Sequence, residues 1–85
     1  MVAWSVYIVR CKNGSLYTGI TNNVEARITA HNTGKGAKYT RAFGPVVLVY
    51  KKKMKSATLA RQKEAEIKRL TKSEKESLLY SGGVF

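Results

Sequence analysis

Two runs of residues that favour β-strands open the chain, and a turn-forming tetrapeptide separates them. The stretch from Trp4 to Thr21 reads WSVYIVRCKNGSLYTGIT, with Val, Ile, Tyr and Thr on both sides of KNGS. This pattern is the strongest short-range signal for a β-hairpin. We therefore expect a hairpin at the start, with the rest of the chain organised around it.

Two turns are compatible with this hairpin, and they place Tyr7 and Tyr17 differently. In an antiparallel pair, residues directly opposite each other project from the same face. A two-residue loop at 13–14 puts the two tyrosines on opposite faces. A three-residue loop at 12–14, with a left-handed glycine and a bulge, sets Tyr7 opposite Gly19 and puts both rings on one face. The residues alone leave both turns open.

Gly19 itself interrupts the second strand, where a glycine lowers strand stability. An isolated glycine in a strand usually marks a bulge or a place where another group approaches the backbone closely. The residues alone leave both readings open at Gly19.

Positive charge is the dominant compositional feature. The 85 residues, interpreted as a single domain 1–85, hold 16 Lys and Arg against five acids, for a net charge of +11. Most of the excess precedes Ser56. A polyanion is the expected partner, and nucleic acid is favoured over a membrane because no helix combines a basic face with a broad apolar one. The alternative is a basic protein without an anionic ligand.

One cysteine, Cys11, cannot form an internal disulfide and excludes a cysteine-based zinc site. A reducing compartment follows from this. No export signal is visible, and the longest apolar runs, such as Val46 to Tyr50, are too short to span a bilayer. We therefore expect a cytoplasmic protein that does not bind membranes.

The acidic residues restrict the chemistry, because the chain has no Asp and only five Glu. A two-metal site for phosphodiester cleavage needs several carboxylates around both ions. Five scattered glutamates do not fit that arrangement. A single ion held by one glutamate, with waters in the other positions, is what Mg²⁺ prefers.

A first helix is predicted from about Val24 to Asn32, after an asparagine N-cap at 22 or 23. At about 100° per residue, Arg27 and His31 lie together along one edge of its narrow apolar stripe. Both can reach into a groove beside the sheet. The alternatives are a solvated surface charge for Arg27 and a C-terminal helix cap for His31.

The segment from Thr33 to Pro45 reads TGKGAKYTRAFGP, and its glycines and proline prevent regular structure. Basic residues interleaved with an aromatic side chain suit phosphate contacts and base stacking. An ordinary solvated connector is the alternative. The candidate nucleic-acid-binding residues here are Lys35, Lys38, Tyr39 and Arg41.

The run from Val46 to Tyr50 predicts a third strand, covered on both faces, that joins the hairpin. Ser56 can cap a second helix that extends to about Leu70. Glu64 is placed at the edge of its core-facing stripe, where it can project into a cleft, or pair on the surface with Lys68 at i+4. The residues predicted to cluster on the core side are Leu59, Ile67 and Leu70.

A short last helix is predicted near the end of the chain. Thr71 or Ser73, followed three residues later by Glu74 or Glu76, is typical of a capping box. The element order is then β-β-α-β-α-α. This predicts an α/β fold of the α+β type, with a small three-stranded antiparallel sheet flanked by helices.

The hairpin carries a motif. Ser5-Val6-Tyr7 followed by Tyr17-Thr18-Gly19 resembles the paired signature of the GIY-YIG nuclease superfamily. Tyr7, Tyr17 and Gly19 match it literally, whereas the other three positions are substituted. The element order is also that of GIY-YIG domains, so the resemblance covers nearly the whole chain.

Three further positions follow the same superfamily. Arg27 stands where it keeps a helix arginine, His31 where it commonly has His or Tyr, and Glu64 where its metal-binding glutamate is expected. The segment 31–40, HNTGKGAKYT, followed by Pro45, resembles the branch of Slx1-like structure-specific endonucleases and small standalone bacterial domains of uncharacterised function. In length, the chain most resembles the standalone domains.

The resemblance implies a metal-dependent DNA endonuclease that hydrolyses phosphodiester bonds in DNA repair, recombination or structure-specific cleavage. Glu64 would bind one divalent ion, Mg²⁺ or Mn²⁺, which polarises the phosphate and stabilises the leaving 3′ oxygen. Arg27 would pair with the phosphate through its planar guanidinium and stabilise developing negative charge.

Implied roles for the remaining residues concern the attacking water. Tyr7 or Tyr17 would position or deprotonate it, and a tyrosine acting as a base near neutral pH needs its pKa lowered by nearby cations. His31 would hold a tyrosine or relay its proton. Gly19 would leave room for the phosphate.

Two departures from the superfamily stand out. Several members place an asparagine about a dozen residues after the glutamate, whereas this chain has Glu76 there. Members also usually carry a separate DNA-binding domain, so substrate choice here would come from the basic loop, an oligomer or a partner protein. The altered first tripeptide and the missing asparagine support a second hypothesis, a non-catalytic module that binds DNA or RNA and retains the nuclease fold.

Overall fold

One three-stranded antiparallel sheet, with the first strand of the chain in its centre, organises the molecule. The computed structural model describes residues 3–33 and 44–82. Its elements are β1 Trp4–Arg10, β2 Leu16–Thr21, α1 Val24–Asn32, β3 Val47–Met54, α2 Ala57–Lys68 and α3 Lys72–Gly82. The predicted α+β fold and its element order are confirmed. Outside the described residues lie the predicted contacts Lys35, Lys38, Tyr39 and Arg41.

The turn between β1 and β2 is the three-residue loop 12–14. The backbone N–H of Cys11 donates to the carbonyl of Ser15 at 2.8 Å, and that of Gly14 donates to the carbonyl of Cys11 at 2.9 Å. Gly14 has φ +87°, a left-handed conformation that glycine adopts without a Cβ clash. This turn sets the register of the hairpin.

The register places Tyr7 opposite Gly19 and Tyr17 opposite Val9, so both tyrosines project from one face of the sheet. We call this the tyrosine face. Its buried residues pack with Ile28 of α1. Side chains of β1 that point the other way form what we call the apolar face. They pack with Ile67 of α2 and the leucines of α3.

Strand β3 joins the hairpin as predicted, and its first half contacts both faces, with Leu48 on the tyrosine face and Tyr50 on the apolar face. Its pairing with β1 contains a bulge. The pairing partner shifts by one residue between Ile8 and Val9, which leaves Val49 as an extra residue on β3. Val49 and Tyr50, although consecutive, are therefore both buried in the cluster of the apolar face. Val47, at the start of the strand, is 59% exposed.

Each helix begins at a side-chain cap. The Oδ1 of Asn23 accepts from the N–H of Ala26 at 3.1 Å, and Ser56 caps α2 in the same way. Thr71 and Glu74 form the predicted capping box, with hydrogen bonds of 2.9 and 3.2 Å. Among the described residues, no helix is long and apolar enough to cross a membrane.

The core-facing side of α2 differs from the predicted one. Ala60 and Ile67 are buried, whereas Leu59 is 40% exposed. At about 100° per residue, Ala60 and Ile67 lie about 20° apart around the helix, and Leu59 lies roughly 80–100° from both. The prediction for Leu59 was therefore wrong, because Ala60 occupies the centre of the buried side. Glu64, about 40° from Ala60, lies nearer to the sheet as a result.

Candidate active site

Gly19 lies under the ring of Tyr7, its partner on the neighbouring strand. A Cβ atom at position 19 would stand 2.6 Å from the Tyr7 hydroxyl oxygen and 2.8 Å from Cζ, a separation that real Cβ atoms essentially never show. Of the two readings of this strand glycine, a bulge or a close approach, the structure shows the close approach, and the approaching group is Tyr7 itself. In this structure the space beside Gly19 holds the phenol, where the resemblance implied room for a phosphate.

The Tyr7 hydroxyl contacts two side chains of α1. It lies 2.9 Å from Nε2 of His31, and Nε of Arg27 donates a hydrogen bond to it at 3.4 Å. Because Arg27 and His31 are four residues apart, they lie on the same side of α1. His31 is 1% exposed. Both residues therefore reach the groove beside the sheet, and the alternatives of a solvated arginine and a helix cap do not describe them.

Protonation in this cluster follows from burial. Burial raises the pKa of the Tyr7 phenol, and the hydrogen bond and charge of Arg27 oppose that rise only in part. Burial, followed by the charge of Arg27, lowers the pKa of His31. Both groups are therefore neutral at neutral pH. We assign the Tyr7 hydroxyl as the donor and Nε2 of His31 as the acceptor, because the Tyr7 oxygen already accepts from Arg27 and its own proton needs an acceptor, which the unprotonated nitrogen of a neutral imidazole supplies.

The lowered pKa that a tyrosine needs to act alone as a base is not found at Tyr7. Arg27 does act in the expected direction, but desolvation of a buried phenolate is the larger effect. A preformed phenolate at Tyr7 is therefore unfavourable in the protein alone.

Tyr17 completes the cluster from β2. Its ring meets that of His31 edge-on, with centroids 5.5 Å apart and planes at 68°. The Tyr7 and His31 rings are 5.9 Å apart. Tyr17 also helps to raise the pKa of Arg27, after the larger effect of the Tyr7 hydrogen bond. The fold thus brings together four predicted residues and Gly19 in one site.

Glu64 belongs to a separate element, α2, and its side chain is 24% exposed. Its carboxylate lies 3.3 Å from Nζ of Lys68, which is the ion pair predicted as the alternative. The same charge contributes to raising the pKa of Tyr7, as the last and smallest cause. Glu64 is therefore within electrostatic reach of the tyrosine without a hydrogen bond to it.

The described residues, 3–33 and 44–82, contain no group of three or more His, Cys, Asp or Glu that could hold a metal ion. A site at Glu64 would therefore supply one carboxylate, with water and substrate phosphate oxygens in the other positions. Mg²⁺ binds in this manner in many phosphate-handling sites. This donor set fits an ion recruited together with the substrate, and does not fit a closed protein cage.

Glu76 forms an ion pair with Arg10 that its sequence context does not predict. Two guanidinium nitrogens of Arg10 donate to its two carboxylate oxygens, at 2.7 and 3.2 Å. This pair holds the pKa of Glu76 below its usual range. The residue that replaces the superfamily asparagine thus anchors α3 to β1. No local signal predicts a pairing between positions 66 residues apart.

Comparisons with known proteins show the family of this chain. The model of the GIY-YIG catalytic domain matches residues 3–77. A UPF0213 protein of Staphylococcus haemolyticus is 57% identical over 70 residues, which cover 82% of this chain and 85% of that protein. A UPF0213 protein of Clostridium perfringens is 52% identical over 79 residues, covering 93% of this chain and 85% of that protein.

A solved structure matches as well. The solution NMR structure of a UPF0213 protein from Bacillus halodurans superposes with a TM-score of 0.63 at 45% identity, covering 99% of this chain and 88% of the other. The fold is therefore shared as well as the sequence. The chain belongs to the GIY-YIG domain family and, within it, to the UPF0213 proteins.

Proposed function

We propose that this protein is a metal-dependent endonuclease that hydrolyses phosphodiester bonds in DNA. The observation that carries the proposal is the Tyr7 hydroxyl, held between His31 at 2.9 Å and Arg27 at 3.4 Å. In this arrangement the Tyr7–His31 pair can transfer a proton, and the neighbouring guanidinium of Arg27 is a cation that can bind a phosphate. The match to the GIY-YIG catalytic domain supports the same reaction.

Tyr7 and His31 act together on the attacking water. As the Tyr7 oxygen takes a proton from the water, it passes its own proton to Nε2 of His31. The lowered pKa of His31 keeps that nitrogen free to accept. Because the two transfers are coupled, no phenolate has to form first, and the raised pKa of Tyr7 is not an obstacle. Tyr17, half-buried on the same face, positions the water.

Arg27 binds the scissile phosphate. A guanidinium has five N–H donors, so the bond from Nε to Tyr7 leaves donors for phosphate oxygens. Glu64 would hold one divalent ion, Mg²⁺ or Mn²⁺, which when bound polarises the phosphate and stabilises the leaving 3′ oxygen. To do so, the Glu64 carboxylate exchanges or shares its partner Lys68.

The test compares cleavage of labelled single-stranded, duplex, flap and branched DNA by the wild type and by Glu64→Gln, with Mg²⁺ or Mn²⁺ present. We expect the variant to lose activity by about 100-fold or more. Glu66→Gln is the matched control, because it makes the same chemical change on the same helix at a 65% exposed side chain. Equal activity of the two variants would remove Glu64 from the site.

A second candidate, a non-catalytic module that binds DNA or RNA, is favoured by two ion pairs. Glu64 is neutralised by Lys68, and Glu76 binds Arg10 where several superfamily members have an asparagine. This candidate predicts binding that weakens steeply with salt, without divalent-dependent cleavage. A wild type that binds DNA and does not cut any member of the panel would make it the better function.

The biological setting is also part of the proposal. We place the activity in DNA repair, recombination or structure-specific cleavage, as in the Slx1-like branch that the 31–40 segment resembles. Substrate choice would come from the basic segment, an oligomer or a partner protein. The single cysteine is a free thiol, which supports a reducing compartment such as the cytoplasm.

A further inference from the structure

Three consecutive lysines of β3 lie beside the central strand and alternate between its faces. The register pairs Lys51 with Tyr7 and Lys53 with Ser5. Because paired residues project from the same face, Lys51 and Lys53 belong to the tyrosine face, and Lys52 between them projects from the apolar face. All three lysines are exposed. Two cations therefore border the candidate active site on the side opposite Gly19.

These charges are not neutralised locally. Within residues 3–33 and 44–82, the ion pairs formed by glutamates involve Arg10, Lys63 and Lys68. Charge on an edge strand also discourages pairing with another sheet. That role needs exposed charge of any orientation, and does not need two lysines on the face of Tyr7.

We propose that Lys51 and Lys53 bind the phosphate backbone of the DNA strand next to the reacting phosphate. This inference rests on the proposed function and names its substrate-binding surface. Residues two apart in a strand are about 6.8 Å apart, and one DNA strand advances about 3.4 Å along its axis per phosphate. The distance between the two lysines therefore corresponds to about two phosphate steps along the axis of the strand. Such contacts orient the strand over the Tyr7 hydroxyl without reading its sequence.

The test measures the affinity for a short labelled DNA duplex without divalent ions, at several salt concentrations. It compares the double variant K51Q/K53Q with the charge-matched control K52Q/K72Q. Lys72 is exposed at the start of α3, which packs on the apolar face. The salt slope is the slope of the logarithm of the binding constant against the logarithm of the salt concentration, and each lost phosphate contact reduces its magnitude by about 0.9. We expect the salt slope of K51Q/K53Q to decrease by the equivalent of about two phosphate contacts, and that of the control to decrease by less than half as much.

Equal salt slopes for the two double variants would overturn this inference. Cleavage by the wild type would in that case still support the proposed function. A wild type that neither binds nor cuts DNA would overturn both. The variant K51R/K53R keeps both charges, so we expect it to retain the wild-type slope, and a loss as large as that of K51Q/K53Q would also contradict phosphate binding.

Discussion

The two faces of strand β1 are equally buried, yet they are built from different chemistry. On the apolar face, Val6 and Ile8 are both 0% exposed and pack against aliphatic side chains of the helices. On the tyrosine face, Tyr7 is 1% exposed and its hydroxyl bonds to His31 and Arg27. Strict alternation along one strand thus separates a face that stabilises the fold from a face that can carry chemistry.

Polar groups are satisfied very differently on the two faces. A buried polar group without a hydrogen bond costs about 1–3 kcal/mol, and on the tyrosine face Tyr7 and His31 avoid this cost by bonding to each other. On the apolar face, the hydroxyl of Thr18 is buried without a hydrogen-bond partner in the part of the chain that the structure describes. The tyrosine face is therefore arranged for its hydrogen bonds, and the apolar face for its packing.

The largest expected effect comes from weakening the apolar face. Ile67→Ala removes a side chain that is 1% exposed and joins α2 to the sheet. We expect the free energy of unfolding to fall by about 2–5 kcal/mol, because the truncation leaves a cavity. Urea denaturation measures it. Leu59→Ala, on the same helix at 40% exposure, is the control, for which we expect a loss below about 1 kcal/mol.

Similar losses for the two α2 variants would mean that Ile67 does not hold the helix to the sheet. The contrast between the faces would then lose its energetic basis, because the apolar face would not be the main source of stability.

A smaller effect is expected from crowding the tyrosine face. Gly19→Ala places a methyl group 2.6 Å from the Tyr7 hydroxyl oxygen, so the ring has to move from its hydrogen bonds. We expect a loss of about 1–3 kcal/mol in unfolding free energy, together with loss of DNA cleavage. Without this overlap Gly19→Ala would raise the unfolding free energy, since alanine in a strand is favoured over glycine by roughly 0.5–1 kcal/mol.

A double-mutant cycle separates the overlap with the Tyr7 ring from the intrinsic preference of a strand for alanine over glycine. In a Tyr7→Ala background, the added methyl group has no ring to meet, so Gly19→Ala should cost much less than it does in the wild type. An equal cost in both backgrounds would show that the glycine is required for another reason.

The smallest expected effect is a pH dependence that belongs to the tyrosine face alone. Burial lowers the pKa of His31, so the folded state binds its proton less readily than the unfolded state does. This stability is fully present above the unfolded pKa of about 6.5 and is lost as the pH falls below it. Denaturation at pH values on both sides of 6.5 measures it.

His31 is the only histidine in the chain, which makes the variant His31→Gln a clean control. We expect its stability to change little over the same range, because no other side chain has an unperturbed pKa there. An unchanged pH dependence in His31→Gln would contradict a buried neutral imidazole as the cause.

Much of the local structure could be predicted from the residues, because its hydrogen bonds join neighbours in the sequence. The caps at Asn23, Ser56 and Thr71 each satisfy an N–H group three residues later. The four-residue spacing of Arg27 and His31 likewise placed them on one side of α1. Such features depend on a few consecutive residues, so a pattern in the sequence suffices to find them.

Only the tertiary structure decided the contacts between distant segments. The residues alone allowed two hairpin turns, and the folded sheet selects the one that sets Tyr7 over Gly19. Burial of Ala60 and Ile67 left Leu59 on the exposed side of α2, and docking of α3 brought Glu76 to Arg10. These outcomes depend on how whole elements share one small core, and a local pattern carries no information about that competition.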